Sequence, residues 1–321
     1  MISVVIPVYN GEAYIRRCLD SLLASEGDCI EIIAVNDGSR DASSAILHEY
    51  ADRYPDRVIV VDKENGGASQ ARKTGVDMAR GEYVGFVDAD DYVAPDWYRR
   101  MEEKAQKTGA DIVVCNYVEV YPTRQNPVKN RFKKGQSFPL TPAETMTYLH
   151  KREAYFPFPW NKIYRTELVR RVEFPTENFV GEDYKMHLQL LHDGAKVEFL
   201  DMEGYFYVLT ESSVSRGGFG PGSLRTYRHF KEDYAWILAN HPEEKKLATN
   251  YLMAEYMAIV IAMGRNKTYD KGLIKEIKAF VRRGLFGYLL ASYVPVTMKA
   301  SALSLTLSYR LLIAMYRIAK R

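Results

Sequence analysis

An α/β fold with a mostly parallel sheet is expected of this chain. Short apolar runs rich in Val and Ile alternate with helical stretches from Ser3 to Tyr117. The runs read as buried strands, as in sheets covered on both faces. A hydrophobic content of 47% is ample for a sizeable core. At 321 residues the chain holds one large domain or two smaller ones.

The elements follow in order. Ser3 to Tyr9 reads as strand. Glu12 to Ala24 is helical, with Tyr14, Ile15, Leu19, Leu22 and Leu23 at helical spacing. Glu31 to Val35 is strand; Asp41 to Tyr54 is helix, with Asp41 a fitting N-cap. Val58 to Val61 (strand), Ala68 to Ala79 (helix), Tyr83 to Val87 (strand), Asp96 to Thr108 (helix) and Ile112 to Tyr117 (strand) complete the alternation. Ligands of such sheets sit beyond the carboxyl ends of the strands. Those ends are Pro7-Val8-Tyr9-Asn10-Gly11, Asn36-Asp37-Gly38-Ser39, Glu64-Asn65-Gly66-Gly67-Ala68 and Asp88-Ala89-Asp90-Asp91. Small residues and free backbone amides there let a nucleotide approach closely.

The last of these ends carries the most chemistry. Asp88 and Asp90 alternate, so on an extended chain both face one point. Two acids that close repel, and a hard divalent ion with oxygen ligands would hold them together. Gly-x-Gly-x-x-Gly after the first strand, the Walker sequence, and the glycine-rich loop of sugar nucleotidyltransferases are all missing. A nucleotide held by carboxylates and a metal remains. Asp37 is either a turn residue or an acceptor for a base or ribose hydroxyl. Arg72 is either a surface cation of its helix or faces the base or phosphates.

Ile-Pro-Val-Tyr-Asn (6–10), Asn-Asp-Gly-Ser (36–39), Glu-Asn-Gly-Gly-Ala-Ser-Gln-Ala-Arg (64–72) and Val-Asp-Ala-Asp-Asp (87–91), in this order, resemble glycosyltransferase family two. The resemblance is strong over residues 1 to 120, sparser to 216 and weak beyond. It implies a GT-A fold and inverting transfer from a nucleotide-diphosphate sugar, with uracil the base by analogy. Pro7, Tyr9, Asp37, Arg72 and Asp88 would line the nucleotide pocket. Asp90 would be the chief contact to Mg2+ or Mn2+, with Asp88 beside it; which of Asp88, Asp90 and Asp91 ligates directly stays open.

Tyr121 to Pro142 is basic (Arg124, Lys129, Arg131, Lys133, Lys134) and reads as an exposed loop, or a flap near an anionic acceptor. Two prolines forbid helix at Pro157-Phe158-Pro159-Trp160-Asn161-Lys162. Trp160 is a buried aromatic or, as family members carrying a similar Trp-Asn-Lys imply, faces the acceptor side. Phe179 to Asp183 opens a helix running to His192. Inverting transfer to a hydroxyl needs one base opposite the leaving diphosphate. The resemblance places it at Asp183 of Gly181-Glu182-Asp183, with Glu182 the runner-up on the acceptor side. His187 and His192 read as plain helix residues. Lys196 to Leu200 and Tyr205 to Leu209 are strand-like. Within Thr210 to Gly222, Arg216 is the residue that the resemblance would set against the diphosphate; the segment also reads as a linker.

From Pro221 the pattern is helical: Leu224 to Asn240, Glu243 to Met263, Gly272 to Arg282, Phe280 to Tyr293 and Ser301 to Ala319. Residues 264–321 hold 12 Lys and Arg against Asp270 and Glu276, a local charge of 12 − 2 = +10; the remainder carries 32 basic and 39 acidic residues, or −7. An acidic body with a basic, apolar tail suggests a polyanionic surface as partner. An anionic membrane touched by residues 285–321 fits better than nucleic acid, for which no binding module is present. Packing on the catalytic domain, or on a second copy as a homodimer, is the other reading. No uninterrupted run of eighteen apolar residues occurs, and no cleavable signal is seen. Cys18, Cys29 and Cys115 fit no disulfide framework or zinc site and suggest a reducing compartment.

The expected organisation is a catalytic domain over residues 1–216, split into a nucleotide half (1–118) and an acceptor half (119–216), then a helical region (217–321). The expected function is a metal-dependent inverting glycosyltransferase at the inner membrane face. It would use a UDP-sugar and a glycan or lipid-linked acceptor in surface polysaccharide assembly. The alternatives are a non-catalytic nucleotide-sugar-binding scaffold and a nucleotidyltransferase.

Overall fold

Strand β1 (Ile2–Val8) lies inside the sheet, hydrogen-bonded in parallel to β2 (Ile30–Asp37) on one side and β4 (Tyr83–Phe86) on the other. In a computed structural model the described residues are 1–25, 30–121, 124–128, 137–153, 155–209 and 220–319. They fall into two units. One comprises Met1–Thr145, Glu153–Asn178 and Glu182–Glu211; the other comprises Met146–Arg152, Phe179–Gly181 and Ser212–Arg321.

In the first unit β3 (Val58–Lys63) extends the parallel run, giving β3-β2-β1-β4. The helices between these strands are α1 (Ile15–Leu23), α2 (Ser43–Arg53) and α3 (Ala68–Met78). α1 buries Ile15, Cys18, Leu19 and Leu22, one apolar stripe against the sheet. α3 approaches β1 so closely that a Cβ at Gly75 would fall 2.3 Å from Val5 Cγ1. A helix–sheet contact this tight admits only glycine.

Beyond β4 the sheet becomes mixed, so the parallel expectation holds for its first four strands. The later elements are β5 (Tyr92–Val93), α4 (Trp97–Thr108), β6 (Ile112–Tyr121), β7 (Arg124–Val128), β8 (Phe138–Leu140), α5 (Pro142–Lys151), β9 (Lys162–Arg165), α6 (Thr166–Arg170), α7 (Glu182–His192) and β10 (Val197–Val208). β9 runs antiparallel between β4 and β6; β10 runs parallel to β6 and carries β5 and β8 antiparallel. The two strands expected at 196–200 and 205–209 are one, β10, whose register shifts at Leu200, Glu203 and Tyr205. Parts of the expected 121–142 loop pair as β7 and β8; Lys129, Arg131, Lys133 and Lys134 lie outside the described residues. Asp41 precedes α2 by two residues: its Oδ1 accepts from Ser43 N at 3.0 Å and its Oδ2 from Glu12 N at 3.1 Å, while Ala42 occupies the cap position. Cys18 and Cys115 are free and buried; Cys29 lies outside the described residues.

The second unit contains α8 (Pro221–Asn240), α9 (Lys245–Arg265), α10 (Lys271–Leu290), α11 (Val296–Leu307) and α12 (Tyr309–Ala319). α9 is the central helix, in contact with each of the other four. Its Gly264 lies against Ile313, where a Cβ would sit 2.5 Å from Cγ1. The helices expected at 272–282 and 280–293 are one, α10, started by Asp270, whose Oδ1 accepts from Leu273 N at 2.9 Å. The helix expected at 301–319 is broken at Ser308 into α11 and α12. Residues Pro242–Arg265 are long and apolar enough to cross a membrane, although 61% of the apolar window is buried by its own neighbours. An average hydropathy can pass that test where no uninterrupted apolar run exists, because Asn250, Tyr251 and Glu255 interrupt it.

Two glycines of helix interiors should separate packing from helix propensity. Gly75→Ala gains about 1 kcal/mol of propensity but overpacks α3 against Val5, so a net loss of about 1–2 kcal/mol is expected. Gly287→Ala on α10 meets nothing within 4 Å, so a gain of about 0.5–1 kcal/mol is expected. Urea denaturation of both variants reads the difference.

Candidate active site

Parallel register brings the strand ends to one edge: Val8 lies opposite Asn36, Asp37 opposite Lys63, and Phe86 opposite Val5. The loops after β1 and β2 are tied together. Asn10, in the left-handed region at φ 51, accepts from Arg40 N at 2.8 Å, while its own N–H donates to Ser39 Oγ at 3.1 Å. Gly11 N donates to Ser43 Oγ at 2.8 Å. Pro7 is half-buried on β1, and Tyr9 is 50% exposed at the same edge.

Asp37 is spent on the neighbouring loop. Its Oδ1 accepts from Lys63 Nζ at 2.6 Å and Gly66 N at 2.8 Å, and its Oδ2 from Gly67 N at 2.7 Å. The carboxylate is nearly inaccessible and acts as a brace for Gly66 and Gly67. These bonds give it a positioning role on the loop after β3. Gly67 needs its freedom, at φ +88 with Asn178 pressed against it.

Arg72 settles the other ambiguity. It is 6% exposed, not a surface cation. Its guanidinium donates to Asp88 Oδ1 at 3.1 Å through one terminal nitrogen, and to Glu182 Oε1 at 3.1 Å and Asp183 Oδ1 at 3.0 Å through the other. One cation thus joins the end of β4 to the start of α7. Burial works against its charge, yet Asp183, Asp88 and Glu182 outweigh burial and raise its pKa. The carboxylates feel the reverse. Burial raises the Asp183 pKa, with Arg72 opposing and Asp88 adding. Burial pushes Glu182 up to about 7, again against Arg72. Asp183 is also held through its backbone: its carbonyl accepts from His187 Nδ1 at 2.7 Å, and His187 Nε2 meets Tyr164 OH at 3.0 Å. His187 is buried and its pKa lowered by burial, which gives it this structural task.

The acidic segment is a turn and not an extended strand. β4 ends at Phe86, and Asp91 N donates to Asp88 O at 3.0 Å. The alternation argument for Asp88 and Asp90 is corrected accordingly; aspartate favours turns. Asp91 is fully buried, taking Tyr205 OH at 2.6 Å on Oδ2 and Val208 N at 2.7 Å on Oδ1. It anchors the turn to β10 and is enclosed, whereas Asp88 and Asp90 are only partly buried. Arg17 donates to Asp90 O at 2.6 Å and lies over the Tyr92 ring at 5.1 Å. Neither Arg17 nor Tyr205 carries a sequence signal that distinguishes it from other arginines and tyrosines of the chain.

Asp88 and Asp90 are the carboxylates left for a cation. Burial and Asp88 push the Asp90 carboxyl up to about 6. The donors are oxygens alone, which suits Mg2+ or Mn2+. Among the described residues no group of three or more His, Cys, Asp or Glu side chains could hold a metal. The protein would therefore offer two carboxylates and leave the remaining positions to water and phosphate, the usual habit of Mg2+.

Trp160 is 4% exposed, stacked on Phe158 at 4.9 Å, Tyr205 at 4.5 Å and Tyr207 at 5.3 Å. Its neighbour Asn161 donates to Cys115 O at 2.6 Å. The Trp160 ring is thus a buried aromatic of this cluster. Lys162 is buried too, with Nζ donating to Phe156 O, Phe158 O and Asn161 Oδ1 at 2.7–2.9 Å. Arg216 lies outside the described residues.

Comparison with known proteins bears on the family and the fold. Residues 3–173 match the sequence model of glycosyl transferase family 2. An uncharacterized glycosyltransferase of Bacillus subtilis, EpsJ, is 35% identical over 69% of this chain and 64% of its own length. Glycosyltransferase GlyG of Streptococcus pneumoniae is 30% identical over 68% of this chain and 74% of its own. The chain spans less than two thirds of EpsJ. Among solved structures, S. aureus TarS 1–349 in complex with UDP-GlcNAc superposes with a TM-score of 0.72 over 99% of this chain and 92% of that one, at 20% identity. The mannosyltransferase PcManGT from Pyrobaculum calidifontis, in complex with GDP-Man and Mn2+, gives 0.53 over 98% and 83%, at 18% identity. These two likenesses confirm the GT-A fold, and with the match over residues 3–173 the chain belongs to glycosyl transferase family 2.

Proposed function

We propose that the protein is an inverting glycosyltransferase that moves a sugar from a nucleotide diphosphate, with UDP-sugars first among candidates, to a hydroxyl of a glycan or lipid-linked acceptor in surface polysaccharide assembly. The observation that carries this reading is the single guanidinium of Arg72 shared by Asp88, Glu182 and Asp183. In this reading Asp88 is the donor-side carboxylate and Asp183 the base, each bound to a different terminal nitrogen of one guanidinium. The UDP-GlcNAc complex of TarS supports the choice of donor.

In this reading Asp183 takes the proton of the acceptor hydroxyl as its oxygen forms a bond to the anomeric carbon. The bond from that carbon to the diphosphate breaks on the opposite face, and the nucleoside diphosphate leaves. Glu182 shares the Arg72 guanidinium with Asp183 and stands next in line as base. Asp88 and Asp90 would hold Mg2+ or Mn2+, which when bound supplies Lewis-acid stabilisation of the leaving diphosphate. Asp37 holds the Gly66-Gly67 backbone in place for the nucleotide, and Arg216 is proposed to meet the diphosphate.

Three outcomes test this. Asp183→Asn should lower kcat about 100-fold or more while a thermal shift by UDP-sugar with Mn2+ persists; near-normal turnover removes Asp183 from the role. Chelation with EDTA should abolish transfer, and Mn2+ or Mg2+ should restore it; full activity in EDTA contradicts the ion. The rate should also fall toward acid. A base works only when ionised, and burial raises the Asp183 pKa, so kcat/KM should drop with pH at values above the aspartate norm of about 3.9. A limb at or below that value would show an unperturbed carboxyl.

A further inference from the structure

Half of the large apolar side chains that stand exposed among the described residues belong to the last three helices. Phe286 is 77% exposed, Leu290 68%, Val296 80%, Leu307 72% and Ile318 73%. Exposure this high is uncommon for such residues, and contiguous apolar patches mark interaction sites. Their spacing makes them contiguous. Lys275, Arg282, Phe286 and Leu290 follow one stripe of α10, since residues seven, eleven and fifteen positions on return to the same face. Val296, Leu303 and Leu307 follow one stripe of α11 in the same way.

The two stripes are neighbours. Lys278 Nζ donates to Leu307 O at 2.9 Å and Arg282 to Thr306 O at 3.0 Å. These bonds fix the end of α11 beside the middle of α10, and the connection through Pro295 brings the start of α11 back to the end of α10. The helices therefore run antiparallel, with Leu307 near Arg282 and Val296 near Leu290. The result is an apolar strip that continues along the same face of α10 into the exposed cations Lys275, Arg282 and Arg283.

We propose that this strip is a docking surface for an anionic lipid bilayer, with Phe286, Leu290, Val296 and Leu307 entering the interface and the cations meeting headgroups. Charge selects the occupant. Residues 264–321 carry +10 (12 basic, two acidic), and Glu276, one of the two acids, already accepts from Tyr227 OH at 2.9 Å. A second copy of the chain would set +10 against +10. A nucleic acid would meet the charge but not the aliphatic side chains. A bilayer interface meets both. With 12 and 11 residues, α11 and α12 are too short to cross a bilayer and suit a surface position. The proposal stands apart from the transfer chemistry, since it concerns no residue of the candidate active site.

Co-sedimentation of the full chain, without donor or metal, tests it. Binding is expected to vesicles of phosphatidylcholine with phosphatidylglycerol, and much less to phosphatidylcholine alone. Raising salt from about 0.1 to about 0.5 M should weaken it. Phe286→Glu with Leu307→Glu should weaken it roughly tenfold or more at an unchanged melting temperature. If that pair lowers the melting temperature, Leu290→Ser with Val296→Ser should give the same loss. The proposal is overturned by absence of binding to anionic vesicles, or by equal binding of folded variants and parent. A parent dimer that the variants turn into monomer, measured by light scattering, also overturns it and assigns the strip to a second copy.

Discussion

A buried guanidinium holds the candidate site together. Arg72 reaches Asp88, Glu182 and Asp183 within 3.1 Å while nearly excluded from water. Taking an arginine out of solvent is costly, and a buried charge persists only where partners satisfy it. Here the partners are carboxylates from the end of β4 and from the first turn of α7. Burial raises the Glu182 and Asp183 carboxyls, and Arg72 opposes that rise; Arg72 in turn would be untenable without its three carboxylate partners.

Much of the fold was readable because the first four strands are buried on both faces, which leaves apolar runs with polar, turn-forming ends. Even the tight Gly75 contact follows from that layering. What could not be read is what depends on residues distant in sequence. Arg72 sits on a helix whose other long polar side chains, Gln70, Lys73 and Asp77, are partly or fully exposed, and nothing local marks it as buried. Its burial comes from Glu182 and Asp183, 110 and 111 positions away. Asp37 had the same ambiguity and resolved the other way, because Lys63 and two glycine amides from the next loop take its oxygens. In the C-terminal unit the expected helix boundaries failed where a pattern was continuous but a single residue was not. α10 runs unbroken through Phe280, and the chain is interrupted instead at Pro295 and Ser308.

The acidic turn shows how one composition divides into separate tasks. Asp91 is fully buried and bonded on both oxygens by Tyr205 and Val208, so it fixes the turn. Asp88 gives one oxygen to Arg72. Asp90, with its carbonyl taken by Arg17, keeps a carboxyl whose raised pKa reports burial and a like-charged neighbour. Sequence alone sees three equivalent aspartates; hydrogen-bond satisfaction separates them.

Charge at the site argues for a cation arriving with the donor. Ionised Asp88, Asp90, Glu182 and Asp183 sum to −4. Arg72 supplies one positive charge directly, and Arg17 acts on Asp90 from its carbonyl side. Burial and like charge raise the pKa of Asp90 and of Glu182, the direction expected where negative charge is crowded. A diphosphate would add further negative charge beside Asp88 and Asp90, where proton uptake could offset only part of it. A divalent ion shared between the phosphates and these two carboxylates would remove the repulsion at its source. Arg72 would then remain the one cation shared by Asp88, Glu182 and Asp183, so a change of charge at Asp88 is felt at the two carboxylates of α7 through the same guanidinium.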